Sequence, residues 1–190
     1  MKALFIFLAL AIIIQGQEIV SSGEVLINGE PLVKSTVIKQ GDTVETKANA
    51  TIRFNISKDA FRASPNSKFT LENIGKKRVL NVINGGVMAV FGGGNHGVST
   101  PNMTAGIRGT GVFVLVKDTK TYFCTCHGET VVESNGERAV LKSKHHKMVW
   151  VTPTAIKHVM EMQGHEDHQI VTLEAMVGRT LPAIFHKDVN

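Results

Sequence analysis

The chain has 190 residues, of which 43% are hydrophobic, and it carries 21 Lys and Arg against 16 Asp and Glu, a formal net charge of +5. This length predicts one domain plus a targeting segment, and the composition is that of a globular protein that builds a core. The basic residues are scattered, with small clusters at 76–78 and 142–147 that lack interleaved aromatic residues. We therefore expect no nucleic-acid partner.

The N-terminus predicts the compartment. Lys2 precedes an apolar run at 3–14, and the small residue Gly16 follows. This pattern is typical of a secretory signal peptide, which we place at 1–16. The run is shorter than the roughly 20 residues that span a bilayer. We expect a periplasmic or secreted protein of bacterial type with no membrane span after cleavage. An uncleaved anchor is the alternative, because Ile14 is unusual at a cleavage site.

About ten short apolar or alternating segments follow, each bounded by turn residues, and they lie at 23–28, 43–46, 50–57, 68–74, 78–83, 87–91, 107–117, 121–132, 138–142 and 148–152. Many short strands with regular turns predict a β-sandwich, barrel or solenoid. We assign residues 17–152 to one β domain. The segment at 107–117 is apolar on both faces, which predicts a buried central strand.

The glycine-rich stretch at 91–97 is not followed by a helical pattern, so it does not predict a phosphate-binding loop, and we expect no nucleotide. We predict instead that this stretch is a mobile loop that carries a solvated His96.

The spacing of apolar residues changes after residue 152. Thr152 and Pro153 are typical of a helix start, and apolar residues follow at helical spacing. A second helical pattern begins near His165 and ends at Gly178. We therefore predict a two-helix C-terminal extension over residues 153–190.

Both cysteines lie in one strand, at Cys124 and Cys126, and His127 follows directly. Side chains at positions i and i+2 of a strand point to the same face, with Cα atoms about 6.5 Å apart. That separation is at the long limit for a disulfide, so a strained bridge or a shared soft metal ion are both consistent with it. His127 reaches the same face only if the strand bulges. The one-residue spacing does not match covalent haem attachment.

Further donors follow at His145 and His146, of which a regular strand would turn only one inward. Together with Cys124, Cys126 and His127 they predict a sulfur and nitrogen site for zinc, copper or iron. His158, His165 and His168, with neighbouring methionines, form a second group of donors. Helix packing and solvation explain that group better than a ligand role does.

The chain contains, in order, GDTVET at 41–46, PNS at 65–67, TP at 100–101, AGIRGT at 105–110, the valine-rich run at 112–116, and Gly128 before the valines at 131–132. Together these motifs resemble the FecR domain family, which includes periplasmic regulators of iron-siderophore uptake. The resemblance covers about residues 23–132. It implies an all-β fold of stacked, twisted short strands, of the β-solenoid or roll type, and a sensing or binding role outside the cytoplasm. The Cys-x-Cys-His element and the C-terminal extension are departures from the regulators.

These observations predict a non-enzymatic signalling or binding module with a soft-metal site and a protein partner in the cell envelope. Two other classes remain open. A thiol–disulfide redox protein would use the Cys124 and Cys126 pair. An interaction scaffold would only pack or bridge the two cysteines. No oriented third residue or oxyanion element accompanies the thiols, which disfavours a cysteine hydrolase.

Overall fold

The structure is a computed structural model that describes residues 16–186, so the predicted signal peptide lies outside the described residues except for Gly16. The strands are β1 Ile19–Ser22, β2 Val25–Ile27, β3 Glu30–Pro31, β4 Thr43–Thr46, β5 Thr51–Ile56, β6 Asp59–Ala63, β7 Lys68–Ile74, β8 Lys77–Val90, β9 His96–Thr100, β10 Met103–Lys117, β11 Lys120–Ser134, β12 Glu137–Ser143, β13 Lys147–Val151 and β14 Ile156–Val159. The helix α1 is Asp167–Met176, and a 3-10 helix covers Ala183–His186.

The strands form one mixed sheet with the order β14-β13-β11-β10-β9-β8-β7-β4-β2-β3. Three branches leave this path: β12 pairs with β11, β6 pairs with β8, and β5 joins β1 to β6. The pairing of β8 with β9 is parallel, whereas β10 runs antiparallel to β8, β9 and β11. The long strands β8, β10 and β11 therefore hold the sheet together.

The prediction of a solenoid or roll of stacked short strands was wrong. In a solenoid each repeat contacts only its neighbours in sequence. Here β8 has 14 residues and β10 and β11 have 15 each, and every one of them pairs with three or four other strands. The result is an open mixed sheet of 14 strands. The all-β character itself is confirmed, as is the buried central strand expected at 107–117, which is β10.

Two apolar clusters lie on opposite faces of β10 and β11. Val112, Val114 and Phe123 belong to the larger cluster inside the folded sheet. Phe113 and Tyr122, which alternate with them, belong to a second cluster that α1 and the 3-10 helix complete. Alternation along a strand thus divides the core in two, and the cysteines share the second, smaller cluster with α1.

Only one of the two predicted C-terminal helices forms. The chain after Thr152 makes a turn in which the Thr152 hydroxyl accepts from the amide of Ala155 at 3.1 Å. The same local hydrogen bond that caps helices also closes turns. The residues that follow this turn pair with the edge of β13 and form β14. The second prediction is confirmed by α1, whose capping box is formed by Glu166 and Gln169. Among residues 16–186, no helix has the length and apolar character needed to cross a bilayer.

The glycine-rich loop is shorter than predicted. His96, expected to be solvated on it, instead begins β9 and is 1% exposed. Its ring packs on Phe91 at a centroid distance of 4.9 Å. Strand pairing of β9 with β8 and β10 explains the difference, because it takes the histidine into the sheet.

Candidate metal centre

The two thiols lie side by side on the face of β11 that α1 covers. Cys124 and Cys126 are fully buried, and both are free. Their Sγ atoms are 3.7 Å apart, well beyond the roughly 2.05 Å of a disulfide bond. The spacing of side chains along a strand produces this proximity without any special loop. Two sulfur donors therefore point together into a closed part of the core.

His146 supplies the first nitrogen. It lies between β12 and β13, and its amide donates to the carbonyl of Cys126 at 2.9 Å. Its backbone is left-handed, with φ of 47°, a conformation that non-glycine residues adopt mainly at turns and functional sites. This turn brings Nδ1 to 3.2 Å from the Sγ of Cys124. Of the adjacent pair, His146 rather than His145 thus faces the thiols.

His165 supplies the second nitrogen from the segment between β14 and α1. Its Nε2 lies 3.8 Å from the Sγ of Cys126 and 3.4 Å from the Nδ1 of His146. The ring stacks on Phe113 at a centroid distance of 4.4 Å. Gly164, with φ of +70°, allows this close approach, since a Cβ there would come within 3.2 Å of the Phe113 ring. The chain is shaped to hold this imidazole against the sheet.

Four of the six separations among the donor atoms are close to those of a tetrahedral metal site. Zinc bonds of about 2.3 Å to sulfur and 2.0–2.1 Å to nitrogen give tetrahedron edges of about 3.8 Å between sulfurs, 3.4 Å between nitrogens and 3.6 Å for mixed pairs. The corresponding distances here are 3.7 Å, 3.4 Å, and 3.2 and 3.8 Å. All the ligand atoms of Cys124, Cys126, His146 and His165 lie within 4.8 Å of one another. The donor set fits one tetrahedral ion.

The far nitrogen of each imidazole is bonded to an acceptor. The Nε2 of His146 donates to Asp167 at 2.5 Å, and the Nδ1 of His165 donates to the carbonyl of Gln163 at 2.8 Å. Such contacts set the tautomer that leaves the other nitrogen free to bind a metal. Asp167 is buried at the first turn of α1 and also accepts from His145 at 2.8 Å. His145 therefore supports the site through Asp167.

The electrostatics of the protein without a metal favour protonated donors. Burial raises the pKa of the Cys126 thiol well above its usual range, and the neighbouring Cys124 adds to the shift. Burial opposes the charged form of His146, but its contacts with Cys126 and Asp167 outweigh burial and raise its pKa. A metal ion must therefore displace protons to bind, so affinity is expected to fall as the pH drops.

The sequence-predicted ligands are divided between this cluster and its surroundings. Cys124, Cys126 and His146 come together, whereas His145 contacts Asp167. His127 lies where the pairing of β10 and β11 is irregular, and its Nε2 bonds Glu174 of α1 at 2.7 Å.

His165 was not among the predicted ligands. His158 is exposed on β14, and exposed His168 pairs with Glu166. The one available signal for His165 was the glycine before it, because a glycine next to a candidate ligand permits a close backbone approach.

Comparisons with known proteins are informative for the fold only. No protein-family model matches the chain, and no curated protein matches it by sequence. A solved structure from Parabacteroides distasonis, described as a putative anti-sigma factor, is similar with a TM-score of 0.55 and 10% identity, over 67% of this chain and 62% of that one. A second structure of the same description and organism has a TM-score of 0.42 and 11% identity, over 76% of this chain and 63% of that one.

This chain thus spans less than two thirds of the length of either solved chain. At 10% identity, the first likeness shows a shared fold.

Proposed function

We propose that the chain is an exported, non-enzymatic binding and sensing module whose buried centre holds one zinc ion through Cys124, Cys126, His146 and His165. The observation that carries this proposal is the set of four donor separations, each within about 0.4 Å of an edge of a tetrahedral zinc site. Cuprous copper and ferrous iron are the other ions that this donor set suits.

The proposed role is binding or sensing because the site is closed. Four protein donors saturate a tetrahedral ion and leave no position for a substrate, which is typical of structural rather than catalytic zinc. Three of the donors belong to residues that are no more than 5% exposed, and the side chain of His146 is 6% exposed. An ion held in this way stabilises one conformation of the chain, and a partner protein can recognise that conformation.

The proposed partner is a protein of the cell envelope. The fold likeness to a structure described as an anti-sigma factor supports a regulatory role, and so does the resemblance of residues 23–132 to the FecR domain. Residues 1–16 support export, because their composition is typical of a signal peptide. In this proposal the chain reports metal availability outside the cytoplasm to that partner.

The separation of 3.7 Å between the thiols also favours a second candidate, a redox pair that closes to a disulfide. The burial of the two thiols disfavours this redox role. Reactive cysteines are partly exposed and have lowered pKa values, whereas Cys126 is fully buried and its pKa is raised. The metal-free protein would then react slowly with alkylating agents.

Metal analysis of untagged protein, purified without added metal and then reconstituted with zinc, cuprous copper or ferrous iron, tests the proposal. We expect about one tightly held ion per chain, as for a single four-ligand site. Cys124→Ser with Cys126→Ser, and separately His165→Gln, should abolish it. His127→Gln is the matched control, since it removes a nearby imidazole that bonds Glu174, and it should retain the ion.

Cobalt substitution gives a second readout, because tetrahedral sulfur ligation produces intense visible bands. A metal content that is substoichiometric and unchanged by the double cysteine substitution would contradict the proposal. Equal loss in the His127 variant would show that the ligand set is wrong. Rapid alkylation and reversible oxidation of the wild-type thiols would favour the redox candidate.

A further inference from the structure

Two arginines face each other on neighbouring strands, away from the metal centre. Arg53 of β5 lies directly opposite Arg62 of β6 in the antiparallel register. Like charges in this position repel and destabilise a sheet unless something compensates them. In the described part of the chain, the arginines that form ion pairs are Arg78, Arg138 and Arg179. The two facing arginines thus have no carboxylate partner within residues 16–186.

Both arginines line a cavity of about 240 Å³ between the β1–β5–β6 edge and α1. The other polar residues that line it are all uncharged or imidazole-bearing, and they are Ser21, Ser22, Thr51, His168, Gln169 and Thr172. No aspartate or glutamate lines it. Val20 and Leu173 supply an apolar wall. The cavity is therefore positively charged, rich in hydrogen-bond donors and large enough for a small molecule.

The donors of this cavity are only partly used by the protein. The Nε of Arg53 is buried and has no hydrogen-bond partner within residues 16–186. Arg62 has a weak contact of 3.5 Å with the Ser64 hydroxyl. Ser22 and Thr51 bond each other at 2.9 Å, which leaves one of their two protons free. A buried donor without an acceptor costs free energy, and an anion in the cavity would remove that cost.

Burial of Arg62 lowers its pKa, the charge of Glu166 opposes this shift, and the charge of Arg53 adds to it. Glu166 is the acidic group whose charge acts on Arg62, but it pairs with His168 at 3.0 Å. It thus compensates the two arginines only in part. The repulsion between the guanidinium groups remains, and it favours occupation by a negatively charged ligand.

We propose that this cavity is a binding site for a phosphate or sulfate group, held between the guanidinium groups of Arg53 and Arg62. Planar guanidinium groups donate two parallel hydrogen bonds to such oxyanions. Two positive charges match a doubly charged group, and the free hydroxyl proton of the Ser22–Thr51 pair supplies a further donor. The apolar wall would contact the organic part of a phosphate ester.

Calorimetric titration of zinc-loaded protein with inorganic phosphate, sulfate and glycerol phosphate tests this site, with sodium chloride at equal ionic strength as the blank. We expect one saturable event per chain. Arg53→Gln and Arg62→Gln should each weaken it at least tenfold. Arg108→Gln is the matched control, because it removes an exposed arginine outside the cavity and should change affinity less than twofold.

The two sources of the group give separate results. Tighter binding of glycerol phosphate than of inorganic phosphate assigns the site to a phosphate ester, and the reverse order assigns it to the free anion. Absence of saturable binding by the wild-type protein would overturn the proposal, and so would equal weakening in all three variants. Arg53→Lys keeps the charge without the two-pronged geometry, and it should recover part of the affinity if the variants are folded by circular dichroism.

Discussion

Two buried Asp–His pairs lie within residues 16–186, and one of them is next to sulfur. His96 contacts Asp59 at 3.3 Å, and His146 contacts Asp167 at 2.5 Å. In the first pair the Nδ1 of His96 is buried without a hydrogen-bond partner within residues 16–186. In the second pair the corresponding nitrogen is 3.2 Å from the Sγ of Cys124.

The carboxylates differ as much as the imidazoles. Asp59 accepts from Arg78 and from the amide of Gly92, both at 2.8 Å, so its charge is neutralised by a permanent cation. Burial opposes ionisation of Asp167, but the contacts with His146 and His145 lower its pKa overall. The Asp59 carboxylate is therefore compensated by Arg78 and the second nitrogen of His96 meets no donor set within residues 16–186, whereas the Asp167 cluster supports a nitrogen that faces other donors. A buried histidine becomes a candidate ligand only where its second nitrogen meets such donors.

The largest predicted effect on stability follows from breaking the first pair. Asp59→Asn would leave Arg78 and the buried ring of His96 without their anion. Removing one partner of a buried pair costs about 3–5 kcal/mol, and we expect about 3 kcal/mol because the Arg78 side chain is 30% exposed. Urea unfolding at pH 7 measures this difference. Zinc content should stay at the wild-type value.

The exposed ion pair of Glu133 and Arg138 supplies the control for this prediction. Both side chains are more than half exposed, so Glu133→Gln should change the free energy of unfolding by less than about 0.5 kcal/mol. If Asp59→Asn has an equally small effect, or if it removes zinc, the two Asp–His pairs do not differ as we infer.

A smaller effect is expected from the second pair, and it should appear in metal affinity. Asp167→Asn keeps a side chain of similar shape at the start of α1 but weakens its hold on His146. Loss of such an outer partner typically lowers metal affinity 10–100-fold, which is about 1.4–2.7 kcal/mol. Competition with a chromophoric zinc chelator measures it. Glu166→Gln, one residue away and exposed, should change affinity less than threefold.

Local sequence patterns predicted the parts of the metal site that lie within one strand. The spacing of Cys124 and Cys126 was enough to place two thiols on one face, because strand geometry has a fixed period. Sequence spacing could not decide whether His145 or His146 faces the thiols. The left-handed backbone of His146 determines this. His165 depends on Gly164 and on stacking with Phe113, a contact between segments about fifty residues apart in sequence.

Long-range pairing also explains where the fold prediction failed. Alternating apolar residues located most strands but did not specify which strands would pair. The length of β8, β10 and β11, and their several partners, distinguish an open mixed sheet from a solenoid. The residues after Thr152 show the same limit of local patterns. Their apolar residues have helical spacing, but they form β14 because they pair with β13. The resemblance to the FecR domain and the predicted export stay predictions.

The smallest predicted effect concerns the contact that holds the last turn of α1 to the sheet. Burial opposes ionisation of Glu174, but the hydrogen bond from His127 and the pairing with Arg179 outweigh it and lower the pKa of the carboxyl. A lowered pKa in the folded state contributes stability above the unfolded value of about 4.5, and this contribution is lost as the pH falls through the folded value.

We therefore expect Glu174→Gln to reduce the free energy of unfolding by about 1.5 kcal/mol at pH 7, the size of a charge-assisted hydrogen bond. The difference from wild type should shrink steadily as the pH is lowered below about 4.5. Urea unfolding of metal-free protein across this range measures it, without interference from metal release. A difference that stays constant down to pH 2 would mean that Glu174 acts through packing alone, and the helix would then be held to the sheet by its apolar face and Asp167.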